Sequence, residues 1–207
     1  MIKNLMIIMG AVFLLQMFVS RWFEYYLGLV PILVWREYFL WQLFTYIFLH
    51  GDLFHILFNL FSLWMFGGEL ENHWGSKKFL FYFLFCGIGA GICTVVFTPY
   101  QFIPVIGASG AIYGILLAFA WLFPNRPILI YFLFPIPAKY FVIIFGLIEL
   151  LSSMEGTGGG VAHLTHLGGL VFGFFYLAYP MIRQKFRRGY YKRKWSQRGP
   201  GDKNYYH

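Results

Sequence analysis

Six apolar segments, each approaching the length of a membrane span, dominate this chain of 207 residues. A helix needs roughly 20 mostly apolar residues to cross the hydrocarbon core of a bilayer. The chain is 59% hydrophobic and only 12% charged, whereas about a quarter of the residues in a soluble domain are charged. The pattern predicts an all-α membrane protein, a six-transmembrane-helix bundle in one domain over residues 1–182. The predicted spans lie at about residues 5–19, 52–67, 79–97, 109–123, 139–151 and 161–181.

The net charge of +8 is concentrated at the carboxyl end of the chain. Residues 183–207 contain nine lysines and arginines and the single acid Asp202, so the rest of the chain is close to neutral. A basic segment directly after an apolar span is typical of the cytoplasmic face, where it meets anionic lipid. An even number of spans then places both termini in the cytoplasm. Nucleic-acid binding by this basic tail is the weaker alternative, because the tail is short and follows a membrane span.

The composition of the connecting segments is informative. Residues 21–42 are rich in tryptophan and tyrosine but are interrupted by a proline and by charged residues, which predicts an interfacial outer loop after the first helix. Gly67-Gly68 is expected to end the second span. The proline-interrupted segment 128–136 is expected to form an interfacial turn, and the glycine-rich segment 152–160 a flexible loop.

Polar and ionisable side chains occur at the starts of three of the predicted spans. Such residues are costly in a membrane helix, and by default they mark function. They are His50, His55 and Asn59 at the second span, Ser109 at the fourth, and His163 and His166 at the sixth. Because successive spans alternate in direction, all of these side chains are expected at a similar depth below the outer surface. The sequence therefore predicts one site that faces the outer side of the membrane.

The side chains at this depth would suit nucleophilic catalysis. Serine is a poor nucleophile unless a base takes its proton, and His166 could take the proton of Ser109. His55, Asn59 and the backbone N–H of Ser109 could donate hydrogen bonds to a developing oxyanion. Tyr113, one helical turn after Ser109, could stack on the imidazole ring of His166. The sequence supplies no acidic residue near His166, so it predicts a Ser–His dyad rather than a triad.

Small residues could bring the two halves of this dyad together. Gly110 and Gly114 share one face of the fourth span, and Gly169 and Gly173 share one face of the sixth. Helices approach closely where two such faces meet. We therefore expect the fourth and sixth spans to pack against each other.

Each residue also has an interpretation without catalysis. Ser109 could be a small packing residue, and Asn59 could form an interhelical hydrogen bond. His163 and His166 could join His50 and His55 in holding a metal ion, as in a histidine-lined metal or ion transporter. The joint occurrence of these residues at one depth favours catalysis, without a metal or another cofactor.

Four motifs resemble those of the rhomboid intramembrane serine proteases. These motifs are His50-Gly51-Asp52-Leu53-Phe54-His55-Ile56-Leu57-Phe58-Asn59, Gly68 through Glu71, Gly107-Ala108-Ser109-Gly110, and Ala162-His163-Leu164-Thr165-His166-Leu167-Gly168-Gly169. Together they cover roughly residues 40–175, and their order along six spans resembles the minimal six-helix bacterial form of the family. The Trp-Arg pair that is frequent in the family's first outer loop has two candidates here, Trp35-Arg36 and Trp41-Gln42.

The resemblance implies a function and a role for each residue. Ser109 would be the nucleophile and His166 the base, while His50, His163 and Gly107 would support the site. The implied activity is cleavage of transmembrane protein substrates in a bacterial cytoplasmic membrane, with lateral substrate entry past the fifth span. A non-catalytic relative that binds membrane clients is the alternative within the same family.

Overall fold

The computed structural model describes residues 1–19, 22–130, 133–154 and 160–196. Within these ranges the chain is mainly helical, and three short helices follow the first long one. The α-helices are α1 (Ile2–Phe18), α2 (Trp22–Leu27), α3 (Pro31–Arg36), α4 (Gln42–Thr45), α5 (Leu53–Ser62), α6 (Gly68–Trp74), α7 (Ser76–Phe97), α8 (Ser109–Leu122), α9 (Ala138–Met154) and α10 (Gly160–Ser196). Part of the predicted flexible loop (residues 155–159) and the end of the basic tail (residues 197–207) lie outside the described residues.

The second predicted span is longer than the sequence indicated. A π-helical segment, Leu63–Gly67, joins α5 to α6, so the helix continues to Trp74. The expectation that Gly67-Gly68 ends this span is therefore wrong. A Cβ at Gly67 would lie 3.2 Å from the Phe79 ring, so this glycine permits close helix packing. The break comes at Gly75, whose φ of +81° favours glycine.

The interfacial segment after α1 is built around the buried side chain of Gln42. Its amide oxygen accepts the backbone N–H of Val30 at 2.9 Å, and its amide nitrogen donates to the carbonyl of Tyr25 at 2.9 Å. These bonds hold α4 against the ends of α2 and α3. The two candidate tryptophans differ in position: Trp41 donates to the Tyr26 carbonyl within the segment, whereas Trp35 donates to a carbonyl of α7.

The segment between α8 and α9 forms a β-hairpin, where the sequence predicted only an interfacial turn. Strands β1 (Pro127–Ile130) and β2 (Phe134–Pro137) pair in antiparallel register, with Pro127 opposite Pro137. The description all-α is therefore wrong for this short segment. Pro127 and Pro137 lie at the outer ends of the two strands, whereas Pro135 lies inside β2, opposite Leu129; a two-stranded hairpin has only edge strands, where a missing N–H donor is tolerated.

The environment of the helices agrees with a membrane protein. Helix α7 lies in the core and buries the large rings of Phe79, Tyr82 and Phe83, while α1, α5 and α9 expose large apolar side chains such as Phe18 and Phe58. An apolar surface of this extent requires an apolar solvent. Among the residues that the structure describes, three helices are long and apolar enough to cross a membrane, and α1 and α8 are shorter apolar helices. The long ones are Leu53–Trp74, Ser76–Phe97 and Gly160–Lys185.

Helices α8 and α10 touch along their glycines, as the sequence predicted. A Cβ at Gly169 would overlap the carbonyl oxygen of Gly110, and a Cβ at Gly173 would lie 3.3 Å from the Cα of Gly114. A third contact comes from α7, because the Tyr82 hydroxyl donates to the Gly114 carbonyl at 2.7 Å. Backbone-to-backbone packing of this kind leaves no room for any side chain at Gly169.

Gly169→Ala is expected to destabilise the protein by roughly 3 kcal/mol, because the added methyl group must push two helix backbones apart. The same displacement would separate Ser109 from the α10 histidines and lower any activity of the site. The thermal unfolding midpoint in detergent measures the first effect. Gly10→Ala is the matched control, since a Cβ there meets nothing within 4 Å. Equal midpoints for the two variants would contradict this packing.

The chain divides into two compact units, Met1–Phe174 and Phe175–His207. Helix α10 continues past the expected end of the sixth span to Ser196, with Pro180 inside it. The first part of the predicted basic tail is thus helical. Arg183, Arg187 and Arg188 belong to this second unit.

Candidate active site

Ser109 is the first residue of α8, and the turn that precedes it requires glycine. Gly107 has a φ of +122°, and its N–H donates to the Tyr46 carbonyl at 2.9 Å. A Cβ at Gly107 would lie 2.6 Å from Nε2 of His55. Gly107 therefore allows the loop before Ser109 to lie directly against the His55 ring.

The hydroxyl of Ser109 is hydrogen-bonded to the imidazole of His166. Ser109 Oγ lies 2.8 Å from His166 Nε2, although the two residues are separated by 57 positions. The ring of Tyr113 stacks on that of His166, with centroids 4.5 Å apart and planes inclined by 14°. The predicted stacking is confirmed. The arrangement joins a serine hydroxyl, an imidazole and a stacked aromatic ring that limits rotation of the imidazole.

His55 and Asn59 lie on α5 next to this pair. Asp52 caps the helix by accepting the backbone N–H of His55 at 2.8 Å. The N–H of Gly51 points at Nδ1 of His55 at 3.4 Å, which leaves Nε2 of that ring as the proton carrier beside Gly107. The Asn59 side chain is buried and donates one N–H to the His55 carbonyl at 2.8 Å. Its second N–H remains for another acceptor.

His50 is buried behind His55 and is fixed through its backbone. Gln16 of α1 accepts the His50 N–H at 3.0 Å and donates to the His50 carbonyl at 3.2 Å. The His50 ring packs edge-on against the His55 ring, with centroids 5.1 Å apart, and neither ring nitrogen has a hydrogen-bond partner. Burial, followed by the neighbouring His55, lowers the pKa of His50 to about 4. The His50 ring is therefore neutral, and it packs against the His55 ring.

An acidic side chain reaches the catalytic candidate His166, which corrects the sequence expectation. Glu149 of α9 is 6% exposed, and its Oε2 lies 3.1 Å from Nδ1 of His166. The Tyr113 hydroxyl donates to the other oxygen, Oε1. The expectation that no acid is within reach of His166 is wrong, because the packing of α9 against α8 and α10 supplies one from 17 residues earlier in the chain.

His163 shares this carboxylate. Its Nδ1 lies 2.5 Å from Oε2 of Glu149, which is the same oxygen that faces His166. Within the described ranges, Glu149, His163 and His166 form the one cluster whose ligand atoms could hold a metal ion, with these atoms within 4.8 Å of one another. His50 and His55 are not part of that cluster, so the four-histidine metal site weighed from the sequence does not form.

Gln16 and Glu149 are the two contributors that sequence reasoning missed. Each interrupts an otherwise apolar helix, which is the signal by which His55 and Ser109 were found. Gln16 was overlooked because it precedes the motifs, and Glu149 because it stands at the far end of its predicted span.

Comparisons with known proteins agree with the motifs. A family model described as the Rhomboid domain matches residues 38–183. The chain is 38% identical over 139 residues to rhomboid protease GluP of Bacillus subtilis. It is 32% identical over 137 residues to rhomboid protease GlpG of Salmonella paratyphi A, and 29% identical over 140 residues to the mitochondrial Rhomboid protein 1 of Saccharomyces cerevisiae.

The matched regions cover most of this chain but less of its relatives. They comprise 65% of the chain and 25% of GluP, 64% of the chain and 46% of GlpG, and 62% of the chain and 38% of the yeast protein. The chain therefore spans less than half the length of each of these relatives.

Proposed function

The chain belongs to the rhomboid family, and on this premise we propose that it is an intramembrane serine endopeptidase with Ser109 as nucleophile and His166 as general base. The observation that carries the proposal is the 2.8 Å contact between Ser109 Oγ and His166 Nε2. Proteins named rhomboid proteases among its relatives support the same activity.

The first half of the reaction forms an acyl-enzyme. Nε2 of His166 takes the proton of Ser109 as Oγ attacks the carbonyl carbon of the scissile peptide bond. The tetrahedral intermediate collapses when the C–N bond breaks, and His166 returns the proton to the leaving amine. The acyl group then remains on Oγ of Ser109.

The oxyanion of the intermediate needs donors that are fixed before the reaction. The Ser109 backbone N–H lies at a helix start, where it has no carbonyl partner within the helix. Nε2 of His55 and the second N–H of Asn59 are the side-chain donors in the proposal. Their positions are supported by the capped start of α5 and by the buried His50 ring.

Hydrolysis completes the cycle. His166 takes a proton from water, the hydroxide attacks the acyl carbon, and the bond to Oγ breaks with return of the proton to Ser109. Water must reach this depth, so the site is proposed to open to the outer side of the membrane. Both termini are then cytoplasmic, and α1, α5 with α6, α7, α8, α9 and α10 are the six spans.

The substrates in this proposal are transmembrane proteins that enter laterally past α9. A peptide carbonyl inside an intact helix is hydrogen-bonded and sterically shielded, so cleavage requires local unwinding. Helix-breaking residues near the cleaved bond are therefore expected to favour cleavage. By resemblance to the family, a small side chain is expected at the cleaved position.

One observation favours a second candidate. The cluster of Glu149, His163 and His166 has the donor types and spacing of a metal site, as a metal or ion transporter would need. The third candidate, a non-catalytic client-binding protein, has no need of the hydrogen bond between Ser109 and His166.

The test uses the purified protein in liposomes with a labelled transmembrane substrate. We expect cleavage that a serine-directed fluorophosphonate blocks and a metal chelator leaves unchanged. Binding of zinc by a protein that neither cleaves the substrate nor is labelled would support the metal candidate. Absence of both cleavage and fluorophosphonate labelling would contradict the proposed protease.

A further inference from the structure

We propose that Glu149 is a positioning residue that holds His166 in the tautomer and orientation required for catalysis, so that the site works as a Ser–His–Glu triad. The inference rests on the proposed protease function and extends it to a third residue. Its basis is that Oε2 of Glu149 lies 3.1 Å from Nδ1 of His166, on the side of the ring opposite Ser109.

The tautomer of His166 decides whether the ring can act as a base. Nε2 accepts the Ser109 proton only when the ring's own proton is on Nδ1. Nδ1 is buried and has no hydrogen-bond partner in the resting structure. The carboxylate of Glu149 is the charged acceptor beside it. A proton on Nδ1 is therefore favoured by attraction to this carboxylate, which leaves Nε2 free to accept.

The same carboxylate would act when the ring becomes charged. After taking the serine proton, His166 is an imidazolium in a site of low dielectric, where an adjacent carboxylate interacts strongly with it. Hydrogen bonds in catalytic sites are often long at rest and shorten in the reacting complex. The distance of 3.1 Å between Nδ1 and Oε2 already lies in the range of an N–H···O hydrogen bond, so only the alignment of the two groups has to improve.

Glu149 is itself held from two neighbouring helices. Tyr113 of α8 donates its hydroxyl to Oε1, and the same tyrosine stacks on the His166 ring. His163 of α10 contacts Oε2 at 2.5 Å. Oε1 is thus occupied by Tyr113, and Oε2 is shared by the two histidines. The titratable groups around His166 are then Ser109 and Tyr113 on α8, Glu149 on α9, His163 on α10 and His55 on α5.

A purely structural role is the competing explanation. The contact from Glu149 to His163 is shorter than that to His166, so the carboxylate could serve only to tie α9 to α10. This explanation predicts that loss of His163 has the same consequence as loss of Glu149. The triad predicts that loss of the carboxylate is much worse, because His163→Gln leaves Oε2 of Glu149 available to His166.

The experiment measures two reactions of the reconstituted protein. The second-order rate constant for fluorophosphonate labelling reports activation of Ser109 without substrate entry, and kcat and KM are measured with a labelled transmembrane substrate. The variants are Glu149→Gln, Glu149→Asp and His163→Gln. Glu69→Gln is the matched control, because this exposed carboxylate pairs with Arg126 away from the site. The thermal unfolding midpoint is recorded for every variant.

We expect Glu149→Gln to lower labelling and kcat together by about 10²–10³-fold, with little change in KM, since neutralising the acid of a catalytic triad favours the wrong tautomer of the base. Glu149→Asp, which keeps the charge, should recover at least tenfold of that loss. His163→Gln should lose less than a tenth as much, and Glu69→Gln should match wild type.

Three results would overturn the triad. The first is labelling of Glu149→Gln at the wild-type rate. The second is an equal loss in Glu149→Gln and His163→Gln. The third is a loss in Glu149→Gln that Glu149→Asp does not recover in folded protein. Failure of the protease proposal looks different, because the wild-type protein itself would then neither be labelled nor cleave.

Discussion

Ser109→Ala is expected to reduce cleavage of a transmembrane substrate by about 10⁵-fold or more, as found when the nucleophile of a serine protease is removed. The alanine methyl group cannot attack a carbonyl. The measurement is single-turnover cleavage in liposomes with excess enzyme, so that slow residual reaction is detected.

The fold of the Ser109→Ala variant should be intact. The one hydrogen bond described for the Ser109 side chain is to His166, and alanine is a good residue for a helix. Ser62→Ala is the matched control, since it removes a serine hydroxyl from α5 that makes no capping bond. It should cleave at the wild-type rate. Cleavage by Ser109→Ala above about one per cent of wild type would exclude Ser109 as the nucleophile, because it exceeds the residual rate expected without one.

The spacing of apolar and polar residues made the site largely predictable. Ser109, His55 and His166 each begin or nearly begin an apolar segment, so alternating helix directions place them at one level. Glycines at 110 and 169 predicted the contact that joins the serine and the histidine, and the structure has it. These features depend on local sequence and on the period of a helix, which one sequence contains.

Other features depend on packing that the sequence does not display. Gly67-Gly68 has the composition of a helix end, but neighbouring side chains and a π-helical segment carry the helix on to Trp74. The pairing of β1 with β2 was not predicted because their apolar residues are too few to distinguish a strand from a turn.

The position of Glu149 in the candidate site likewise depends on packing that the sequence does not display. It lies 17 positions before His166 and on a different helix, and the rotation of α9 decides whether its side chain faces that histidine or lipid. Both orientations fit a single apolar segment with one acid near its end. The sequence does show a lone carboxylate in an apolar segment. Because such a carboxylate is costly in a membrane, its presence indicates that it has polar partners.

His166→Ala is expected to lose as much activity as Ser109→Ala, although the nucleophile is still present. Without a base the hydroxyl keeps its proton, so fluorophosphonate labelling of Ser109 should fall together with cleavage, by about 10⁴–10⁶-fold. His73→Ala is the matched control. Its ring packs against Phe123, at the opposite end of α8 from Ser109, with centroids 5.8 Å apart, so it should be labelled and cleave like wild type.

The double variant Ser109→Ala/His166→Ala then tests whether the two residues act as one unit. Groups that share one step are strongly non-additive, so the double variant should be no slower than either single variant within about threefold. If the two losses instead multiplied, Ser109 and His166 would contribute to separate steps, and the 2.8 Å hydrogen bond between them would not be the catalytic contact. Rapid labelling of His166→Ala would lead to the same conclusion, because another group would then be activating the serine.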